Sequence, residues 1–128
     1  MINRLLSGIQ PTGKMHLGNY FGAVQNWVTL QEEYDAYYMV ADLHALTTAY
    51  DDGVNLRQST LEVVADLIAC GVDPKKATLF VQSDIAEHSE LHLIFSMITP
   101  IPWLERVPTY KSKKEEIKGK DLNTYGFL

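Results

Sequence analysis

The residues best able to do chemistry concentrate in one stretch, Gly8-Ile9-Gln10-Pro11-Thr12-Gly13-Lys14-Met15-His16-Leu17-Gly18-Asn19. The types suit an anion held by a loop and a helix start. Gly8 and Gly13 permit positive φ and close backbone approach. Pro11 fixes one φ and removes one donor. The His16 imidazole can donate to a phosphate oxygen, and Asn19 offers both a donor and an acceptor. Gly18, one turn into the following helix, leaves room for a flat base or a ribose. A strand–helix turn that binds nothing would also use glycines and a proline. A second pair, Asp42 and His44, stands two residues apart after an apolar run. A carboxylate and an imidazole so spaced could orient a polar substrate group. Equally, Asp42 could cap a turn and His44 could be a satisfied core histidine. His88 and His92 are four apart on a helix, but no Cys or third His accompanies them, so no metal site is expected. Cys70 lies near a helix end without a base beside it and reads as structural.

These residues need a scaffold, and the hydrophobic pattern supplies one. Leu5-Leu6 reads as a short buried strand. Leu17 to Glu33 reads as a helix, with Leu17, Phe21, Val24 and Val28 on its apolar face and Tyr20, Phe21 and Trp27 packing into the core. Residues 36–41 are a β-prone, nearly all-apolar strand, as in a parallel sheet buried on both faces. Strand, helix, strand is a βαβ unit, and ligands in such sheets sit beyond the C-terminal strand ends, where Asp42 and His44 fall. Asp51-Asp52-Gly53 breaks the chain. Val54 to Cys70 is a second long helix, with Leu56, Leu61, Val64, Ala65, Leu67 and Ile68 as its apolar side and Gly71 ending it. Residues 78–83 form a third strand, whose Gln82 and Ser83 end on the rim shared by Gly8 and Asp42. Glu87 to Thr99 is a third helix. Pro100, Pro102 and Pro108 then cut the chain into short pieces, with a turn of helix over Trp103–Arg106.

Length and composition bound the function. At 128 residues the chain is one domain's length, and its 46% hydrophobic residues suit a globular core. No apolar run can span a bilayer, and the N-terminus lacks a signal-peptide core. A single cysteine suits a reducing cytosol, so a cytoplasmic location is expected. The net charge of −5 argues against a protein that coats nucleic acid. The late cluster Arg106, Lys111, Lys113, Lys114, Lys118 and Lys120 is interleaved with Glu115, Glu116 and Asp121, which marks a solvated face.

The spacing of the first stretch is neither the dinucleotide-binding nor the P-loop pattern: Gly13-Lys14 lacks a following Ser or Thr. Pro11-Thr12-Gly13, then His16-Leu17-Gly18-Asn19, instead resembles the HIGH element of class I aminoacyl-tRNA synthetases. The opening Gly8-Ile9-Gln10-Pro11-Thr12-Gly13 and Gly18-Asn19-Tyr20 resemble the tryptophanyl branch. Asp42-Leu43-His44-Ala45 is similar to that family's second active-site segment, and the resemblance runs from Ser7 to Leu128. It implies an α/β fold: the first half of a Rossmann-like nucleotide-binding domain, with a βαβ core over about 1–86 and a helical connective insertion over about 87–128. It further implies that Gln10, Pro11, Thr12, Gly18 and Asn19 meet ATP, that His16, Gly18 and Asn19 act in catalysis, and that Gly8, Asp42 and His44 border tryptophan. Mg²⁺ would accompany the ATP, and tRNA(Trp) would be the acceptor.

Three departures accompany the resemblance. Arg106-Val107-Pro108-Thr109-Tyr110-Lys111 replaces a family string that carries Gln. Lys111-Ser112-Lys113-Lys114 only superficially resembles the Lys-Met-Ser-Lys-Ser loop: it lacks the Met and final Ser and comes too early, so it reads as part of the connective insertion. The indole-recognising aspartate and the anticodon-reading domain would lie beyond Leu128. The expectation is an N-terminal part of a synthetase, weakly active alone, with an unpaired strand edge that favours a homodimer. Alternatives are a tyrosyl enzyme, a small nucleotidyltransferase of the same superfamily, and an interaction module that kept the fold without the chemistry.

Overall fold

The computed structural model describes residues 3–49, 53–117, 124 and 126–127; the expected break at Asp51-Asp52 and the late Lys118, Lys120 and Asp121 lie outside them. The chain divides into two compact units, residues 1–84 and 85–128. The first holds β1 (Arg4–Ile9), α1 (Leu17–Asn19), a π turn (Tyr20–Val24), α2 (Gln25–Leu30), β2 (Asp35–Val40), α3 (Asp42–Ala49), α4 (Gly53–Ala69), β3 (Thr78–Val81) and a 3₁₀ turn (Gln82–Asp84). The second holds α5 (Ala86–Ile98), α6 (Ile101–Leu104) and α7 (Pro108–Glu116).

The three strands form a parallel sheet in the order β1-β2-β3, the βαβ arrangement that the sequence pattern predicts. Leu5 lies opposite Ala36, Ile9 opposite Val40, and Tyr38 opposite Leu79. Residues opposite one another share a face, and this is the packed face. Trp27 of α2 and Val63 and Leu67 of α4 close on it, with Tyr38 and Val40 fully buried. The Trp27 and Tyr38 rings stack with centroids 4.6 Å apart and planes 5° from parallel. The Tyr38 hydroxyl donates to the Trp27 carbonyl at 2.8 Å, so this buried hydroxyl is satisfied.

The other sheet face, with Leu6, Gly8, Tyr37, Met39 and Phe80, is half-buried to exposed. β2 therefore alternates between buried and half-buried positions, where burial on both faces was expected. Leu6, expected in a buried strand, is 62% exposed. The reason is that the helices forming the core meet the sheet on one face only.

The helix after the loop is longer in register than a plain α-helix. The backbone N–H of Gln25 bonds the Tyr20 carbonyl, five residues back. Such a turn rotates the residues before it away from the stripe that follows. Val24 and Trp27 are buried, whereas Leu17 is 74% and Phe21 61% exposed. This corrects their expected place on the apolar face, and Phe21 is not a core residue. The helix also stops at Leu30, short of Glu33.

In α4 the buried stripe runs Leu56, Thr60, Val63, Val64 and Leu67, with Leu56 and Val64 half-buried. Leu61 and Ile68, expected inside, are exposed, and so is Ala65; they stand about 100° off the stripe. Gly71 ends the helix as expected. Its φ is +107°, its N–H bonds the Ile68 carbonyl at 3.0 Å, and the Val72 N–H reaches the Leu67 carbonyl at 3.0 Å. This is a Schellman closure with the buried Val72 as its apolar contact. Gln31, 6% exposed, clamps the turn: its Nε2 donates to the Gly71 carbonyl at 3.0 Å and its Oε1 accepts from the Asp73 N–H at 2.9 Å.

β3 stops at Val81, because Gln82–Asp84 curl into a 3₁₀ turn instead of extending the strand to Ser83. In the second unit the helices break before Pro100 and before Pro108, as expected, and the short turn of helix falls at Ile101–Leu104 where Trp103–Arg106 was expected. Pro102 lies in the first turn of α6 and Pro108 in that of α7, positions where the missing N–H would have no helical partner. Lys111-Ser112-Lys113-Lys114 falls within α7, not in a short piece. Among the described residues no helix is long and apolar enough to cross a membrane.

Candidate functional site

The chain leaves the sheet at the C-terminal end of β1 and crosses a loop to α1. Pro11 is buried under this loop, and Gly13 takes φ +129°, a value that side-chain-bearing residues rarely adopt. Gly8 does not use that freedom. It sits in extended β1, where a Cβ would come within 3.1 Å of the Met39 carbonyl oxygen. Close approach, not positive φ, is what its missing side chain serves.

Loop and helix start enclose a cleft of about 100 Å³ lined by Gln10, Thr12, Lys14, His16 and Asn19, with Val63 of α4 at its back. His16 is the N-cap of α1. Its Nδ1 accepts from the Gly18 N–H at 3.0 Å, while the Asn19 Oδ1 accepts from the His16 N–H at 3.1 Å. This reciprocal pair is a capping box built with imidazole and amide in place of hydroxyl and carboxylate. It commits the acceptor atoms of both side chains. The nitrogens that remain, Nε2 of His16 and Nδ2 of Asn19, are donors. Gly18 is bare for a nearer reason than a nucleotide: a Cβ there would stand 2.8 Å from His16 Cε1. The room above it holds the His16 ring. The cleft lining thus offers an amide, a hydroxyl, an ammonium and two N–H groups, and no carboxylate. Such a lining suits an anion.

The second group forms at the C-terminal ends of β2 and β3. Asp42 opens α3, and its Oδ1 accepts from the Leu43 N–H at 2.9 Å and from the Ser83 N–H at 3.0 Å. The His44 backbone N–H meets the Gln82 Oε1 at 3.2 Å, and its Nδ1 lies 3.0 Å from the same oxygen. Asp42 and His44 therefore tie the start of α3 to the end of β3, and the His44 side chain is exposed on the rim.

Of the residues singled out from sequence, Gln10, Thr12, His16 and Asn19 meet around the cleft. Pro11 and Gly18 support it. Gly8 lies on the open sheet face, and Asp42 and His44 form their own group. Lys14 and Gln82 were not singled out. Lys14 gave no signal beyond its place in the loop. Gln82 gave one: a polar residue ending an apolar strand on the ligand-bearing rim. Among the described residues no three His, Cys, Asp or Glu side chains gather as metal ligands.

Known proteins are similar to this chain in sequence and in fold. The family of class I tRNA synthetases for W and Y matches residues 2–128. The chain is 56% identical over 125 residues to the tryptophan–tRNA ligase of Ralstonia nicotianae, covering 98% of this chain and 31% of that protein. It is 56% identical over 126 residues to the tryptophan–tRNA ligase of Thermotoga maritima, covering 98% and 38%. The chain thus spans about a third of the length of these relatives. The tryptophanyl-tRNA synthetase of Campylobacter jejuni, solved with ADP and tryptophan, superposes with a TM-score of 0.86 at 38% identity, over 97% of this chain and 38% of that one. A tyrosyl-tRNA synthetase from Archaeoglobus fulgidus, 23% identical over 98% of this chain and 39% of its own, gives a TM-score of 0.75, a likeness of fold. The chain belongs to the class I tRNA synthetase family of the tryptophan and tyrosine enzymes.

Proposed function

We propose that this chain carries the ATP-facing and tryptophan-facing rim of a tryptophan–tRNA ligase. The observation that carries the reading is the carboxylate-free, donor-rich cleft at the start of α1, held in shape by the His16–Asn19 capping box. In this reading Gln10, Pro11, Thr12, Gly18 and Asn19 form the ATP side, and Gly8, Asp42 and His44 border the amino acid. The tryptophan carboxylate attacks the α-phosphorus. A carboxylate O–P bond forms, the bond to the bridging oxygen breaks, and pyrophosphate leaves with the electron pair. The N–H groups of His16 and Asn19 stabilise charge developing on the phosphate oxygens, and the rigid cap fixes their position before reaction. No side chain need become covalently attached.

The cleft lining has no carboxylate, so it does not suit a resident Mg²⁺. In this reading the ion is part of the nucleotide substrate. The tryptophan–tRNA ligases at 56% identity support tryptophan over tyrosine. A cytoplasmic enzyme that charges tRNA(Trp), with residues 87–128 as a connective helical insertion, completes the reading. A homodimer also belongs to it, supported by the exposed Leu91, Ile94, Phe95, Met97 and Ile98 of α5.

The test is a chimera in which this chain replaces the matching segment of the Thermotoga maritima relative. Tryptophan-dependent ATP–pyrophosphate exchange, reduced by one to two orders of magnitude on His16→Ala, is the expected outcome. Exchange with tyrosine alone, or none with a folded chimera, would overturn it.

A further inference from the structure

Gln82 is 5% exposed, and a buried amide demands partners. Two of its contacts come from one residue and converge on one atom. The His44 backbone N–H lies 3.2 Å and His44 Nδ1 lies 3.0 Å from Oε1. A backbone N–H can only donate, so the atom it meets is the amide oxygen and not the amide nitrogen. That oxygen can only accept, so Nδ1 carries a hydrogen. In the neutral imidazole Nε2 then holds a lone pair. At His16 the same logic runs the other way: Nδ1 accepts from the Gly18 N–H at 3.0 Å, so the hydrogen sits on Nε2. The two histidines of this unit present opposite chemistry, a donor at the anion-suited cleft and an acceptor at the β2–β3 rim.

We propose that Gln82 is a positioning residue that holds His44 with Nε2 as a hydrogen-bond acceptor for an N–H donor of the bound amino acid. The proposal rests on the reading of His44 as bordering tryptophan. The donor is an amino-acid N–H, either the α-ammonium or the indole nitrogen. The Asp42–Ser83 bond ties the same two segments together, so the fold of the rim does not depend on Gln82 alone. Free imidazole in water favours the hydrogen on Nε2, so loss of Gln82 should tip His44 to the opposite tautomer.

The experiment is a long-range ¹H–¹⁵N correlation of the histidine rings in this chain, without ligand and with tryptophan, 1-methyltryptophan or indole-3-propionate. His44 should show protonated Nδ1 and unprotonated Nε2, and His16 the reverse. Gln82→Leu should invert His44, and Gln82→Glu, which keeps the acceptor, should restore it. A His44 already protonated on Nε2, or unmoved by Gln82→Leu in a folded variant, would overturn the proposal. Tryptophan should shift the His44 Nε2 resonance, and the analogue that lacks the donating N–H should not. Gln82→Leu should weaken tryptophan binding about tenfold, and Gln82→Glu less. Tryptophan binding that moves other resonances and leaves His44 still would overturn the acceptor role alone. Tryptophan that perturbs no resonance would overturn the tryptophan reading and the acceptor role with it, while the ligand-free spectra would still decide the tautomer.

Discussion

At Gly18 one methyl group decides whether α1 keeps its cap. A Cβ there would meet the His16 ring at 2.8–2.9 Å, and the ring, at the end of a rotatable side chain, would swing away. Gly18→Ala should therefore lose the Nδ1 cap and about 1 kcal/mol of stability, read from the urea midpoint. It should also release His16 from its single tautomer; unchanged stability and unchanged ring resonances would contradict this. The sequence set Gly18, His16 and Asn19 in one stretch, and the capping box brings them into contact. The sequence did not show why Gly18 is bare, since a base and a folded-back imidazole leave the same signature. Gln82 was missed for a related reason: a glutamine that ends a strand looks the same in sequence whether it faces water or fixes a neighbour's ring.

Among the elements, the turn after α4 rests on Gln31. Its side chain bonds both Gly71 and Asp73 from a nearly buried position. Gln31→Leu leaves a carbonyl and an N–H without that partner, and a loss of roughly 1–3 kcal/mol is expected in a denaturant titration. A change below about 0.5 kcal/mol would mean that water replaces the clamp. The three strands, the long helices and the Gly71 closure were all legible, because short β-prone apolar runs, 3.6-residue periodicity and a helix-ending glycine are local signals. The π turn at Tyr20–Val24 was not. It adds a residue without changing composition, and so it defeated the periodicity that put Leu17 and Phe21 inside. The breaks before Pro100 and Pro108 were legible, and the helix starts at Pro102 and Pro108 were not, because Pro stops a helix from within but suits its first turn.

On the scale of the whole molecule, the core depends on Tyr38, fully buried against Trp27. Burial raises the Tyr38 pKa above its usual 10.0. The unfolded chain then gives up this proton first as pH rises. The contribution of neutral Tyr38 is complete below about pH 10 and is lost progressively above it. Urea midpoints should fall more steeply above about pH 10 than in Tyr38→Phe; parallel slopes would contradict the assignment. For the homodimer reading, sedimentation should show a second species growing with concentration, and a monomer at every concentration would count against it.

In the proposed function the Gly8–Asn19 loop receives ATP. Titration of ATP into the ¹⁵N-labelled chain, followed at backbone amides, tests it most directly and needs no turnover. Saturable shifts at Gly13, His16, Gly18 and Asn19, abolished by His16→Ala in a folded chain, are expected. Shifts confined to α5–α7, or no saturable shift, would contradict it.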